Sequence, residues 1–185
     1  MHAAICDFVS DIFQNACEAG ATRIDLSIER VESRLSITVS DNGKGMDQDQ
    51  LQRVRDPFYS DGKKHPERRV GLGIPFLIQA TEQSGGNFEI QSGKQSGTVV
   101  RFSFDLNSID CPPVGNMIQT IAGALSGCDA EVIVHRSHGH ASYTISRSQL
   151  REALGSLDDI QALSLVKQYI QSQEENLISG DTGHG

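Results

Sequence analysis

Apolar residues recur over the first twenty positions at spacings of four and three: Ile5, Val9, Ile12, Ala16 and Ala19. Such spacing lays one stripe along a helix, so residues 5–19 are expected to be helical, with Gly20 as the C-cap. The period then changes to two. Ile24, Leu26 and Ile28 alternate with polar residues, as do Leu35, Ile37 and Val39, and a polar turn at 31–34 separates the runs. Two antiparallel strands, each with one buried face, follow from that alternation. The second runs directly into Asp41-Asn42-Gly43-Lys44-Gly45-Met46.

Between 47 and 69 the pattern breaks into a short helical stretch and a polar segment, 60–69, carrying Lys63, Lys64, Arg68 and Arg69. A segment so poor in apolar anchors inside a compact domain is expected to be a movable lid. A second helix follows at 70–84. Pro75 is tolerable there only in the first turn, and Gly85 and Gly86 end it. Two more strands are expected at 88–92 and 98–106, joined by a loop at 93–97.

Beyond Leu106 the character changes, and Cys111-Pro112-Pro113 marks a boundary. A helix (114–125), two strands (131–134 and 142–146) and two helices (149–154 and 158–174) are expected to follow. The organisation read from this is a main domain at 1–106, a small α+β C-terminal region at 107–179, and a disordered tail at 180–185. No internal repeat is visible.

Composition narrows the partners. Sixteen basic and twenty-four acidic residues give a net charge of -8, with no stretch of Lys and Arg dense enough to follow a phosphate backbone, so nucleic acid is not an expected partner. No apolar run nears the roughly 18 residues of a membrane span, and no signal-peptide layout opens the chain. A cytoplasmic, membrane-free protein is expected. Cys6, Cys17, Cys111 and Cys128 are too scattered for a CxxC motif and are read as buried or incidental thiols. His135, His138 and His140 lie close together, and are read as a polar turn between two strands rather than as metal ligands.

Three clusters carry candidate chemistry. Asp11, Asn15 and Glu18 stand four and three apart, which puts two carboxylates and a carboxamide on one helix face. Taken alone, that face is also what a solvated helix surface looks like. Asp41 ends a buried strand and is followed by Gly43 and Gly45, which permit tight turns and close backbone approach. Its carboxylate can accept a hydrogen bond from an exocyclic amine such as the 6-amino group of adenine, although a hairpin turn has the same signature. Gly71-Leu72-Gly73 opens the second helix, where free amides and the helix dipole favour phosphate.

The order of these pieces is more specific than any one of them. An acidic helix, a strand hairpin, DxGxG, a basic segment, a GLG helix and Gly97-Thr98 before the last strand together resemble the GHKL superfamily of ATPases. That superfamily groups gyrase, heat-shock chaperones, histidine kinases and MutL-type mismatch-repair proteins. The resemblance covers residues 5–106. The stretch from Asp11 to Ala21 looks like its N-box, closest in style to the MutL version. Asp41 to Met46 resembles the G1 box, Arg69 to Ile74 the G2 box, and Asp56 to Ser60 the F-box of histidine kinases.

The resemblance implies a two-layer α/β sandwich, with helices on one face of a mixed, largely antiparallel sheet, plus the C-terminal appendage. It implies ATP and Mg²⁺ as cofactors. Asn15 would ligate the metal, Asp41 would hold adenine with Thr98 acting through water, and Gly43, Gly45, Met46, Gly71, Leu72 and Gly73 would surround the nucleotide beside Glu18. Lys63, Lys64, Arg68 and Arg69 are the cations available to the γ-phosphate. A self-contained sensor kinase needs a phosphoacceptor histidine on a preceding helical hairpin. Here the N-box helix begins within a few residues of Met1, so a stand-alone ATP-binding domain is expected.

Two functions remain open at this point. One is a regulator that binds Mg-ATP or ADP and switches a protein partner; the other is a kinase transferring phosphate to a Ser or His of a partner, as anti-sigma-factor kinases do. The position four before Asn15 is typically Glu in hydrolytic and Ser-kinase members of the superfamily. Here it is Asp11, the candidate catalytic residue, which favours slow hydrolysis and the regulator.

Overall fold

The computed structural model describes residues 4–55 and 73–181. Helix α1 (Ile5–Glu18) buries Ile5, Val9, Ile12 and Ala16, as its spacing requires, together with Phe8 and Phe13. Asp7 accepts the N–H of Ala4 at 2.7 Å, satisfying a donor that the helix N-terminus leaves open. Strands β1 (Arg23–Val31) and β2 (Arg34–Asp41) pair antiparallel, with Leu26 opposite Val39 and Ile28 opposite Ile37. A short helix, α2 (Gln48–Arg55), buries none of its residues. Helix α3 (Gly73–Gln83) has Pro75 in its first turn, where a missing N–H costs nothing.

Strands β3 (Phe88–Ser92) and β4 (Thr98–Asp105) form the next hairpin, with β4 lying against β2. Then come α4 (Met117–Ser126), β5 (Glu131–His138), β6 (Ala141–Ser146), α5 (Arg147–Leu154) and α6 (Ile160–Asp181). Helix α4 starts three residues later than the sequence suggests because Asn116 caps it, accepting the N–H of Gln119 at 2.9 Å. Helix α6 runs through Asp181, two residues into the expected tail.

The six strands of the described residues form one sheet in the order β3-β4-β2-β1-β5-β6. Its pairs are antiparallel except β1 with β5, which is parallel, with Leu26 beside Val134. The residues expected as an appendage therefore supply two strands to the main sheet, and the boundary at 106 does not divide it. The reason lies in burial. Val132 and Val134 of β5 share the apolar face of Ile24, Leu26 and Ile28, and all five are fully covered. Removing each such side chain from water is worth about 1.5–3 kcal/mol.

One face of the sheet and α1, α3, α4 and α6 share a single apolar core. Phe8 of α1 stacks on Phe104 of β4, with ring centroids 6.5 Å apart. The opposite face carries Ser27, Ser36, Thr38 and Ser40, which stay partly open to solvent. Within the buried layer, Arg136 of β5 stands 3.2 Å from Glu174 of α6, and Tyr143 of β6 donates to the same carboxylate at 2.7 Å. That network ties α6 to the last two strands. The Tyr143 hydroxyl is held far above its ordinary range by burial and by this carboxylate.

Candidate functional site

Asp41 is the last residue of β2 and points to the helix-covered side, with Ile24 and Thr98 as its cross-strand neighbours. Thr98 in turn faces Ser92 of β3. The row thus passes from apolar to polar at one end of the sheet. Burial lifts the Asp41 carboxyl above its ordinary range, while the backbone N–H groups of Gly43 and Thr98 pull it back by hydrogen bonding to the charged form. The Gly43 bond is 2.7 Å long.

The loop after Asp41 is strapped on three sides. Lys44 donates its N–H to the carbonyl of Ala19 at the end of α1 (3.0 Å), and its own carbonyl accepts the N–H of Gln95 from the β3–β4 loop (2.7 Å). The N–H of Met46 reaches Ser92 Oγ at 2.9 Å. Asn42 anchors the start of β1, its Oδ1 accepting the N–H groups of Thr22 and Arg23, both at 2.9 Å.

The glycines have a role that the sequence reading did not give them. A Cβ on Gly43 would lie 2.8 Å from the Cβ of Ala19. One on Gly45, whose φ is +61°, would collide with the carbonyl of Gly93. Gly97, at φ +75°, lies equally close to the carbonyl of Asp41. The missing side chains of Gly45 and Gly97 let the two loops lie on each other, and that of Gly43 lets the first loop lie on the end of α1.

Asp11, Asn15 and Glu18 occupy the exposed face of α1, and Glu18 accepts from Gln14 at 3.2 Å. Gly73, the first residue of α3, stands against Asp11. Partial loss of water raises the Asp11 carboxyl above its ordinary range, and the nearby Asp7 charge adds to the effect. The structure sets Gly73 against Asp11, and separately gathers Gly43, Gly45 and Thr98 around the end of β2 at Asp41. Lys63, Lys64, Arg68, Arg69, Gly71 and Leu72, together with the expected lid, lie outside the described residues.

Two participants went unseen in the sequence. Ser92 ends an unremarkable strand, and Asn42 reads as a turn residue. Cys17 and Cys128, 111 positions apart in the sequence, are neighbours in the fold, and burial together with the Cys128 thiol pushes Cys17 up to about 12. Histidines 135, 138 and 140 sit on and beside the β5–β6 hairpin, where His135 Nδ1 meets Thr144 Oγ1 at 3.0 Å. Two surface grooves of about 420 and 390 Å³ flank α4 and touch neither Asp41 nor Asn15. Chemistry rather than concavity marks the site among the described residues.

The family model for histidine kinase-, DNA gyrase B- and HSP90-like ATPases matches residues 3–108. The chain belongs to this family. Among curated relatives, a putative sensor protein of Shewanella frigidimarina is 31% identical over 103 residues, covering 54% of this chain and 15% of the relative. Sporulation kinase C of Bacillus subtilis is 31% identical over 85 residues, covering 46% and 19%. The chain thus spans less than a fifth of either. Among solved structures, the N-terminal domain of a DNA repair protein superposes with a TM-score of 0.55 at 14% identity, covering 83% of this chain and 57% of that one. A match of that extent reaches past residue 108, so the fold of the chain is shared beyond the segment that carries the family signature.

ATP binding follows from membership of this family. The donor set suits the usual metal as well. No three His, Cys, Asp or Glu side chains converge on a metal site among the described residues. Mg²⁺ takes one or two protein oxygens and completes its shell with phosphates and water. An exposed carboxamide at Asn15, flanked by Asp11, fits that demand. No described helix is long and apolar enough to cross a membrane.

Proposed function

We propose that the chain binds Mg-ATP at the Asp41 site, hydrolyses it slowly, and uses the difference between bound ATP and ADP to switch a protein partner. The observation that carries this reading is the Asp41 carboxylate. It is lifted by burial, accepts the N–H of Gly43 at 2.7 Å, and stands opposite Thr98 at the end of β2. A half-buried acceptor fixed in that way is ready for an exocyclic amine. Asn15 takes the metal, which supplies charge neutralisation at the phosphates. Asp11 orients the attacking water, and its raised carboxyl suits a base. The side chain is one methylene shorter than the Glu usual in the family, which supports slow turnover. Lys63, Lys64, Arg68 and Arg69 are the cations assigned to the γ-phosphate, with Gly71, Leu72, Met46 and Glu18 bordering the nucleotide.

Titration calorimetry tests the site. Asp41→Asn should weaken ATP and ADP alike by roughly ten- to a hundredfold, the cost of about 1.5–3 kcal/mol for one charged hydrogen bond. Asn15→Ala should matter mainly when Mg²⁺ is present. Unchanged affinity in both variants sinks the assignment.

The relatives, a putative sensor protein and a sporulation kinase, favour a second reading in which phosphate passes to a Ser or His of the partner. With γ-labelled ATP, label on a partner protein supports transfer, and release as inorganic phosphate supports the switch.

A further inference from the structure

Ser92 Oγ has three partners at the same distance: the N–H of Met46, the carbonyl of Gly97 and the hydroxyl of Thr98, each at 2.9 Å. A hydroxyl owns one proton and two lone pairs. The N–H of Met46 can only donate, and the carbonyl of Gly97 can only accept. The Ser92 proton is therefore committed to Gly97, one lone pair to Met46, and the remaining lone pair to Thr98. Only one assignment satisfies all three contacts, and in it Thr98 donates its proton to Ser92.

The consequence falls on Thr98. With its single proton turned toward Ser92, Thr98 Oγ1 offers only lone pairs to whatever lies beside Asp41. The Asp41 carboxylate, when charged, is also acceptor-only. Thr98 and Asp41 face each other across β2 and β4, so that end of the sheet presents an acceptor-only rim. We propose that Ser92 is a specificity-determining positioning residue, which holds Thr98 as an acceptor and so selects an amino-bearing purine edge over a keto-bearing one. A 6-amino group, or a water that must donate toward the rim, is welcomed. A 6-oxo group meets lone pairs with lone pairs, and that mismatch is what discriminates between bases. This inference rests on the nucleotide reading of the Asp41 site. Nothing in the sequence marks Ser92, because the effect depends on a cross-strand register and on proton counting.

The test compares ATP with ITP, which differ at the 6-position group and its N1 proton, by calorimetry on the wild type and on Ser92→Ala, Ser92→Thr and Thr98→Val. In Ser92→Ala the Thr98 hydroxyl is free to turn and donate. The preference for ATP over ITP should then fall by about three- to tenfold, the worth of one neutral hydrogen bond, beyond any loss common to both nucleotides. Ser92→Thr keeps the hydroxyl and should keep the preference. Thr98→Val removes the acceptor and should lower the preference even if Ser92→Ala fails to fold. A preference unchanged in both Ser92→Ala and Thr98→Val, with ATP still bound, overturns the role of Ser92 and leaves the site intact. A wild type that binds neither nucleotide overturns the nucleotide reading and this inference with it.

Discussion

A Cβ built on Gly73 would stand 3.3 Å from Asp11 Oδ2, so the first turn of α3 reaches the Asp11 carboxylate and the bare glycine leaves it a few tenths of an ångström more space than an alanine would. The space has a use. Asp11→Glu should extend the carboxylate past Gly73 toward the γ-phosphate and raise single-turnover hydrolysis by roughly tenfold or more at similar affinity, within the range of general-base catalysis. Adding Gly73→Ala should cancel the gain by closing the same space. A brisk wild type that Asp11→Glu and Asp11→Asn both slow would refute the slow-switch reading.

Gly85 and Gly97 separate two costs of replacing a glycine. Both adopt positive φ, 68° and 75°. A Cβ on Gly85 meets nothing within 4 Å, whereas one on Gly97 strikes the carbonyl of Asp41. Gly85→Ala should therefore cost only the left-handed strain, about 1 kcal/mol. Gly97→Ala should cost at least about twice that and also displace Asp41, lowering nucleotide affinity. Urea denaturation of both variants, with ATP titration, checks the pair. Equal destabilisation would mean that the two loops separate at little cost.

Asp41 and Asp11 make folding sensitive to acid in an unusual direction. Both hold a proton to higher pH when folded than the 3.8 of a free Asp. The folded state therefore binds more protons between the ordinary and the raised value, and stability falls as pH rises through that window. Above it the contribution is constant and unfavourable. Asp41→Asn and Asp11→Asn should each raise the nucleotide-free Tm at pH 7, and the gain should vanish as pH drops below about 3.8. Melting curves across a pH series decide the point, and a lower Tm for both variants at pH 7 would contradict it.

The Arg136–Glu174 pair tests how far the molecule unfolds as one body. The two side chains are 8% and 13% exposed, so Glu174→Ala leaves a buried charge uncompensated at a cost of about 3–5 kcal/mol. Because β5 lies against β1, the loss should shift the whole unfolding transition seen by far-UV circular dichroism, keeping it single. Two separated transitions would show 107–179 melting on its own. Replacing both partners, Arg136→Met with Glu174→Leu, should recover most of the loss.

Local periodicity made the first half of the fold legible. The four-and-three spacing of α1 and the alternation of β1 and β2 declare both the element and its buried face, and Asp41 was visible because it follows that alternation to its end. The β1–β5 pairing was not legible. Parallel neighbours more than a hundred residues apart leave no mark in either segment, and Cys111-Pro112-Pro113 reads as a boundary whether or not the sheet continues beyond it. The same holds for Ser92 and for the Cys17–Cys128 contact, which exist only once strands and helices are assembled. The glycines were seen, but their clearance was credited to a ligand, whereas the structure spends much of it on loop-to-loop contact.

The parallel partner of β1 has a practical consequence for anyone shortening the chain. Cutting at residue 108, where the family signature ends, would strip β5 from β1 and leave Ile24, Leu26 and Ile28 on an uncovered edge with a row of free N–H and C=O groups. Such an edge recruits strands from other molecules. The truncated protein should precipitate or form mixed oligomers, and a soluble ATP-binding fragment should have to include β5 and β6.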